Sequence, residues 1–243
     1  MDQKGKLYLI PSLLDEDGME AIPSYIIAAV KECQIFFVEN ERTTRRYLKQ
    51  LWKARLPAGQ EMVIDDYEWF VIHKAEEEVQ TIFKEKLKEG NNIGIISEAG
   101  CPGIADPGQL LVAAAQEMDV EIRPLVGPNS ILLALMASGM NGQQFQFAGY
   151  LPIDNQQRAK AIKELEAESQ KKNCTQLFIE TPYRNNQLIE VLLKICKPST
   201  KLCLAVDLTG KEEWIRTKTI ADWKNEKIDI HKRPAIFLLH ASQ

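Results

Sequence analysis

The first half of the chain alternates short apolar runs with longer stretches of helical periodicity. Runs such as Ile35–Val38, Met62–Ile64 and Ile93–Ser97 have the length and composition of strands. Between them, the segment Glu76–Lys88 repeats apolar residues at helical spacing and is followed by Gly90, a common residue after a helix. This alternation is typical of a parallel sheet flanked by helices, so the sequence predicts an α/β fold.

The apolar run Gly127–Gly139 is expected to form one helix that ends at a glycine, and after it strands begin to outnumber the helices that could connect them. We expect two long helices, Asn155–Gln170 and Arg184–Ile195, and the five strands Phe145–Tyr150, Gln176–Glu180, Lys201–Ala205, Glu213–Thr217 and Pro234–His240. The last three strands leave little room for crossover helices, which favours mixed or antiparallel pairing. The sequence therefore predicts two α/β domains, 1–126 with a mostly parallel sheet and 127–243 with a mixed or antiparallel sheet.

Composition excludes several classes of protein. Hydrophobic residues make up 45% of the 243 residues, enough for a packed core, and the net charge of −4 excludes a polycation that binds nucleic acid by its overall charge. The five cysteines form no C-x-x-C pair, so we expect neither a metal site nor a disulfide framework. The first residues lack a signal-peptide core and no apolar run is long enough to span a bilayer, so we expect a cytoplasmic protein without membrane contact.

The segment Gly94–Gly108 is the most unusual part of the chain. A buried strand is expected to end at Ser97, and glycines and prolines then crowd a short loop before the next helix. Glycine permits close approach of a ligand and proline stiffens the backbone, and such a loop lies where α/β sheets bind ligands. The simpler alternative is that Asp106 is a helix N-cap with Pro107 at the first helical position. Neither a G-x-G-x-x-G nor a P-loop motif is present.

Six stretches, in order along the chain, resemble one branch of a known family. The segment SEAGCPGIADPG resembles the S-D-A-G-T-P-x-I-S-D-P-G loop of the tetrapyrrole methylase superfamily, in its ribosomal RNA small subunit methyltransferase I branch. The other five similar stretches are VENERTTRRYL, VGPNSILLALMASGM, FAGYLP, ETPYRNNQLIEVL and LAVDLTGKEEWIRTKTIADW. Each match is short, but their common order makes the resemblance specific.

The resemblance implies an S-adenosylmethionine-dependent methyltransferase, usually a homodimer, with the ligand cleft between two α/β domains. It implies ribosomal RNA or the small ribosomal subunit as partner and a ribose 2′-hydroxyl as methyl acceptor. By the same resemblance, the cofactor-binding residues are Pro11, Glu98, Ala99, Gly100, Cys101, Ile104, Ala105, Asp106, Ser130, Leu151, Glu180, Thr181, Pro182, Pro234 and Ala235. Two alternatives are methylation of a small molecule such as a tetrapyrrole, and a paralogue that binds the cofactor without catalysis.

The chain departs from the branch at several positions. Its first loop, Ile10–Gly18, keeps Pro11 but lacks the Gly-Asn pair of the branch. Asn40 stands for an aspartate, Tyr183 for a histidine and Val206 for an arginine. Because a guanidinium is a strong partner for phosphate, loss of that arginine is expected to weaken phosphate contact, and the changed loop affects the choice of acceptor.

No catalytic residue can be assigned from the sequence. A carboxylate such as Glu180 or Glu98 is a candidate base for a ribose hydroxyl, although carboxylates at strand ends more often accept structural hydrogen bonds. Cys101 would need a histidine partner to act as a nucleophile. The three histidines, His73, His231 and His240, have no spacing that provides one.

Basic residues concentrate on the predicted helix around Arg42–Arg55. Residues 42, 46, 49 and 53 share one helical face, and the candidate RNA contacts are Arg42, Arg45, Arg46, Lys49 and Lys53. A solvated face without a partner is the alternative. The acidic stretch Asp65–Glu68 would repel RNA, so we expect it to lie off the path of a bound strand.

Overall fold

A computed structural model describes residues 4–57, 59, 62–72 and 76–241 of the chain. The chain divides into two compact units, of which the first extends to Asn129 and the second begins at Ser130. The boundary predicted from the sequence lies after residue 126. Each unit contains one five-stranded sheet with helices packed against it.

The first unit is built on a parallel sheet, which confirms the predicted architecture. Its strands lie in the order β3-β2-β4-β1-β5, and every adjacent pair is parallel. The strands are β1 (Leu7–Leu9), β2 (Ile35–Val38), β3 (Glu68–Val71), β4 (Ile93–Ile96) and β5 (Ile122–Pro124). The helices are α1 (Ile26–Glu32), α2 (Glu41–Arg55), α3 (Glu76–Lys88) and α4 (Gln109–Glu117).

Alternation of side chains along the strands gives this sheet two buried faces. Tyr8 and Phe36 belong to one core, which includes α1 and α2, whereas their chain neighbours Leu7 and Phe37 belong to the core that includes α3 and α4. Strands covered on both sides must be apolar throughout. All four residues of β2 and of β4 are accordingly buried.

The third strand lies later in the chain than predicted. Met62–Ile64 was expected to be a strand, but the strand is β3, Glu68–Val71, and Ile64 opens a short 3₁₀ helix instead. Aromatic pairs across the sheet explain the difference. Phe36 stacks on Trp69 with ring centroids 5.1 Å apart, and the other face carries a second aromatic pair. A single-sequence pattern cannot anticipate such cross-strand contacts.

The second unit has the mixed sheet that the sequence predicted, in the order β6-β7-β10-β8-β9. Only β6 and β7 are parallel, and the remaining adjacent pairs are antiparallel. The strands are β6 (Phe145–Tyr150), β7 (Thr175–Ile179), β8 (Lys201–Val206), β9 (Trp214–Thr219) and β10 (Ala235–His240). The helices are α5 (Ser130–Ser138), α6 (Asn155–Lys172), α7 (Asn185–Ile195) and α8 (Ile220–Trp223).

Helix α6 begins and ends at residues suited to those positions. The Asp154 side chain accepts hydrogen bonds from the backbone N–H groups of Gln156 and Gln157, and Asn173 adopts a left-handed conformation after the last turn. Within α6, the buried carboxylate of Glu166 accepts hydrogen bonds from Lys197 N and Thr200 Oγ1. No helix in the described part of the chain is both long and apolar enough to cross a membrane.

Candidate functional site

The loops that follow β1 and β4 meet at the carboxyl edge of the parallel sheet. These strands are neighbours, and their following connections run in opposite directions along the sheet. Ser12 N donates to Gly100 O at 2.8 Å, and Ser12 Oγ donates to Ser97 O at 3.0 Å. The structure therefore joins the segment after Pro11 to the glycine-rich loop, at the kind of crevice where α/β sheets bind ligands.

A third segment, Gly127–Asn129, completes this edge. The Cys101 thiol donates to Pro128 O at 3.5 Å. A Cβ on Gly127 would lie 2.1 Å from Pro11 Cβ, and a Cβ on Gly100 would lie 3.3 Å from Pro128 O. Since Gly100 also has a φ of 69°, only glycine fits there without strain. Three segments distant in sequence are thus packed closely together.

The glycine-rich loop is partly exposed to solvent. Glu98, Ala99, Ile104 and Ala105 are exposed, whereas Gly100 is buried. The simpler alternative for Asp106 is wrong, because α4 begins at Gln109 and its N-cap is Gly108, with a φ of 116°. That backbone conformation separates Asp106 from the helix. Its carboxylate is therefore available for another role.

Three carboxylates converge beside this loop. Glu39 Oε2 accepts a hydrogen bond from Glu98 N at 2.9 Å, and Glu98 Oε1 accepts one from Thr43 Oγ1 at 3.3 Å. Burial, together with the nearby Glu39 and Glu98, raises the pKa of Asp106 to about 6, against the opposing effect of a hydrogen bond with Ser97. Such a concentration of negative charge favours a cationic ligand.

Cys101 lacks the features of a nucleophile. Burial raises the pKa of its thiol, and a hydrogen bond with Asn129 only partly opposes this effect. The other cysteines are buried and reduced. His73 lies outside the described residues. Within the described ranges, no group of three or more His, Cys, Asp or Glu side chains is arranged to hold a metal ion.

The second unit collects most of its predicted site residues at one edge of the mixed sheet. Ile179, at the end of β7, pairs with Tyr150 and Ile236, and Ala235 pairs with Val206 at the end of β8. The residues just beyond these pairs lie at the same edge, namely Leu151, Glu180, Thr181, Pro182 and Pro234. Ser130 is placed apart from them, as the first residue of α5.

Glu180 is held in place by two donors. Its nearly fully buried carboxylate accepts hydrogen bonds from Thr181 N at 2.7 Å and from Arg184 Nη2. A carboxylate fixed in this way orients the start of the next turn, and its base role stays a prediction. Glu98, by contrast, is exposed at its sheet edge.

An ion pair between residues far apart in the sequence also lies at the edge of the mixed sheet. Arg233 Nε donates to Asp207 Oδ2 at 2.6 Å, and Arg233 Nη2 donates to Glu212 O at 2.7 Å. Val206, which stands for the arginine of the branch, is fully buried within β8. No motif or spacing connects residues 207 and 233, so only the antiparallel register of β8 and β10 could reveal the pair.

Two of the departures from the branch have clear structural settings. Asn40 is the N-cap of α2, and its side chain accepts hydrogen bonds from the backbone N–H groups of Arg42 and Thr43. Asparagine and aspartate are nearly equivalent as N-caps, so this change preserves the helix start. Tyr183 is exposed in the 3₁₀ turn Pro182–Arg184.

The predicted basic helix is α2, and its cations differ in their partners. Arg45 is ion-paired with Glu41 and Asp65, and Arg46 is ion-paired with Glu16. The acidic stretch expected to lie off the RNA path therefore reaches this helix through Asp65. Of the five candidate RNA contacts, Arg42, Lys49 and Lys53 are exposed and have no acidic partner among the described residues.

The fold is shared with solved structures of methyltransferases. The methyltransferase CobJ aligns with a TM-score of 0.60 at 17% identity, covering 98% of this chain and 94% of that chain. A uroporphyrin-III C-methyltransferase from Thermus thermophilus, complexed with S-adenosylhomocysteine, aligns with a TM-score of 0.54 at 14% identity, covering 97% of both chains. At such identities the likeness establishes the shared fold.

Sequence relatives establish the family. No family model matches the chain. The ribosomal RNA small subunit methyltransferase I of Bacillus subtilis is 32% identical over 225 residues, which cover 91% of this chain and 71% of the relative. The protein of the same name from Buchnera aphidicola is 30% identical over 243 residues, covering 98% of this chain and 79% of the relative. The chain therefore belongs to the ribosomal RNA small subunit methyltransferase I family.

Proposed function

We propose that this chain is an S-adenosylmethionine-dependent methyltransferase that acts on ribosomal RNA of the small subunit, at a ribose 2′-hydroxyl. The observation that carries the proposal is the carboxyl edge of the parallel sheet, where exposed residues of the glycine-rich loop lie beside three carboxylates. The relatives are named ribosomal RNA small subunit methyltransferase I. That name supports both methyl transfer as the reaction and small-subunit ribosomal RNA as the substrate.

The charged and polar groups at this edge fit the proposed cofactor. S-adenosylmethionine carries a sulfonium and an ammonium group, so the carboxylates of Glu39, Glu98 and Asp106 complement its positive charge. Ala99 and Ala105 are exposed in this loop, and their backbone groups are the donors and acceptors that we assign to the polar groups of the ligand. When bound, the cofactor supplies the methyl group.

We assign cofactor binding to two sets of residues, one in each unit. In the first unit they are Pro11, Glu98, Ala99, Gly100, Cys101, Ile104, Ala105 and Asp106. In the second unit they are Ser130, Leu151, Glu180, Thr181, Pro182, Pro234 and Ala235. Hydrogen bonds between Ser12 and the glycine-rich loop support the first set, because they fix the loop before any ligand binds.

Glu98 is the stronger of the two candidate bases. Its carboxylate is exposed and accepts one hydrogen bond, from Thr43, whereas Glu180 is buried and paired with Arg184. A base must reach the proton that it removes, and an exposed side chain meets this requirement. Because Glu98 is also assigned to the cofactor, Glu98→Gln is expected to weaken the binding of S-adenosylhomocysteine, and a role as base predicts that it slows methyl transfer at saturating cofactor as well.

The exposed cations of α2 support an RNA substrate. We assign RNA contact to Arg42, Arg45, Arg46, Lys49 and Lys53, with the residues that lack acidic partners contributing most. Phosphate contacts of this kind orient a strand without reading its sequence, and they weaken as salt rises. Replacing Arg42, Lys49 and Lys53 by Gln should reduce the slope of log affinity against log salt by about two, since each phosphate contact contributes ~0.7 on single strands.

Lys160, Lys163 and Lys171 of α6 provide a matched control. These exposed lysines belong to a different helix, and replacing them by Gln removes the same charge. An equal loss of RNA affinity in both triple variants would contradict a specific role for α2. Equal affinity of the α2 variant and wild type at low salt would remove RNA contact from that helix.

The proposal also includes a homodimer that works in the cytoplasm. Support for a dimer comes from large apolar side chains that the second unit exposes, among them Met136, Tyr150 and Ile153, which are 80%, 60% and 70% exposed. Sedimentation equilibrium tests this part, and a monomer at micromolar concentration would contradict it.

Two measurements test the main proposal. Calorimetry with S-adenosylmethionine and S-adenosylhomocysteine should detect binding of both, and absence of binding would remove the methyltransferase proposal. Small ribosomal subunits from a strain that lacks this protein should accept a tritiated methyl group, and the label should resist alkali as a 2′-O-methyl does. Binding without methylation of any RNA would favour a small-molecule substrate or a non-catalytic paralogue.

A further inference from the structure

Tyr183 exposes an aromatic ring at the edge of the mixed sheet. It is the middle residue of the 3₁₀ turn Pro182–Arg184, which follows β7, and it is 68% exposed, whereas the turn's other two residues are half-buried. Exposure of a large aromatic side chain is unfavourable in water and contributes nothing to a core. The ring lies beside Thr181 and Pro182, both assigned above to the cofactor, so a ligand bound at this edge could reach it.

The loop that follows α8 places a lysine and a histidine against this ring. Lys232 Nζ lies over the ring, 5.8 Å from its centroid, and the His231 ring stands edge-on at 6.0 Å with an interplanar angle of 76°. Asp229 is the nearby acid, and it accepts hydrogen bonds from Asn186 Nδ2 and His231 N. A tyrosine face with a lysine ammonium above it offers both a stacking surface and a positive charge.

The turn that carries the ring is held rigidly. Lys232 N donates to Pro182 O at 2.9 Å, and Arg184 N donates to Thr181 O at 2.9 Å. The ion pair between Arg184 and the buried carboxylate of Glu180 also holds the turn against the end of β7. A rigid aromatic side chain loses little conformational freedom when a ligand binds, so the turn is suited to recognition.

We propose that Tyr183 and Lys232 form a stacking platform for one unpaired base of the RNA substrate. The base stacks on the Tyr183 ring, and the Lys232 ammonium contacts the adjoining phosphate. RNA-binding proteins recognise unpaired bases by stacking on aromatic rings, and phosphate supplies the charge that lysine complements. The inference rests on the proposed function, and it makes Tyr183 a positioning residue that acts on the substrate.

The test compares full-length variants at Tyr183 on two probes. The first probe is a single-stranded RNA of about 12 nucleotides, within the range that such grooves bind, and the second is the same strand with abasic riboses. Tyr183→Phe keeps the ring, Tyr183→Leu keeps apolar area without a π-face, and Tyr183→Ala removes both. Phe145→Ala is the control, because Phe145 is an exposed aromatic residue at the start of β6, at the opposite edge of the same sheet.

Stacking predicts a specific pattern of affinities. Tyr183→Ala and Tyr183→Leu should lose roughly tenfold in affinity for the intact RNA, which corresponds to ~1.4 kcal/mol, and nothing for the abasic strand. Tyr183→Phe and Phe145→Ala should match wild type on both probes. On small ribosomal subunits, Tyr183→Ala should raise KM with little change in kcat or in the affinity for S-adenosylhomocysteine.

Each other outcome overturns the platform and identifies what failed. If Tyr183→Ala lost equal affinity for both probes, or bound RNA as tightly as wild type, stacking on Tyr183 would be refuted. The proposed function would still stand if the wild-type protein methylated ribosomal RNA. A change in affinity for S-adenosylhomocysteine alone would assign the ring to the cofactor. A wild-type protein that binds neither RNA nor S-adenosylhomocysteine would refute the proposed function as well.

Discussion

Replacing Asp106 by Asn should change how stability depends on pH. Asp106 is half-buried beside Glu39 and Glu98, and its pKa rises from 3.8 to about 6. Because the folded state holds the proton more tightly than the unfolded state, Asp106 favours folding below about pH 4. That contribution is lost as the pH rises through about 6, and an asparagine, which cannot ionise, avoids the loss.

The size of the effect follows from the shift and from the exposure of the group. A rise of about two pKa units corresponds to ~3 kcal/mol at about 1.4 kcal/mol per unit, if the site were fully buried. Asp106 is partly exposed, so solvent screening reduces this figure to about 1 kcal/mol. The unfolding free energy of Asp106→Asn relative to wild type should therefore be about 1 kcal/mol higher at about pH 8 than at about pH 4, because wild type loses the contribution of Asp106 over this range.

Urea denaturation of both proteins at several pH values measures this gain. Asp229→Asn is the control with the opposite sign, because hydrogen bonds from Asn186 and from His231 N lower the pKa of Asp229. Its ionised form stabilises the fold, so this variant should lose stability relative to wild type as the pH rises through the acid range. If the difference in unfolding free energy between Asp106→Asn and wild type did not change with pH, the raised pKa of Asp106 would be refuted.

Three further predictions concern packing, a buried hydrogen-bond acceptor and the loop thiol. Gly127→Ala should lower the unfolding free energy by about 1–3 kcal/mol, because the new Cβ would lie 2.1 Å from Pro11 Cβ. Gly142→Ala should have little effect, since its Cβ would meet no described atom within 4 Å. Equal urea midpoints for the two variants would contradict the close packing of Gly127 against Pro11. Glu166→Ala should cost about 1–3 kcal/mol by leaving Lys197 N and the Thr200 hydroxyl unpaired, whereas exposed Glu164→Ala should stay within about 0.5 kcal/mol. Iodoacetamide should alkylate Cys101 more slowly than a free thiol and only at alkaline pH, because burial raises the pKa of its thiol. Mass spectrometry should also detect protection of Cys101 by S-adenosylhomocysteine, and alkylation that is unaffected by this ligand would contradict cofactor contact at the loop.

Local sequence patterns were sufficient for most of the elements. Buried parallel strands must be apolar on both faces, so β2 and β4 stand out as continuous runs. The glycine-rich loop was also identifiable, because glycine and proline leave a local signature of backbone conformation. Strand β3 was not, since its place depends on Trp69 and Phe70 packing against residues of β2.

The role of Asp106 shows a second limit of local reasoning. The order Asp-Pro-Gly before an apolar helix fits an N-cap, but the backbone at Gly108 moves the helix start past it. The carboxylates of Glu39 and Glu98 then surround Asp106, although Glu39 follows a different strand. Sequence spacing carries no information about which strand ends become neighbours.

The amino-acid sequence by itself determined the α/β class, the family and the place of the glycine-rich loop, because these depend on local periodicity, local conformation and ordered motifs. Tertiary structure decided which cations of α2 are neutralised, which acids share a site with Asp106, and which aromatic ring reaches solvent beside Lys232. Electrostatic and stacking interactions act over a few ångströms in space. Residues that the chain separates by tens of positions acquire such interactions only when sheet order and register bring them together.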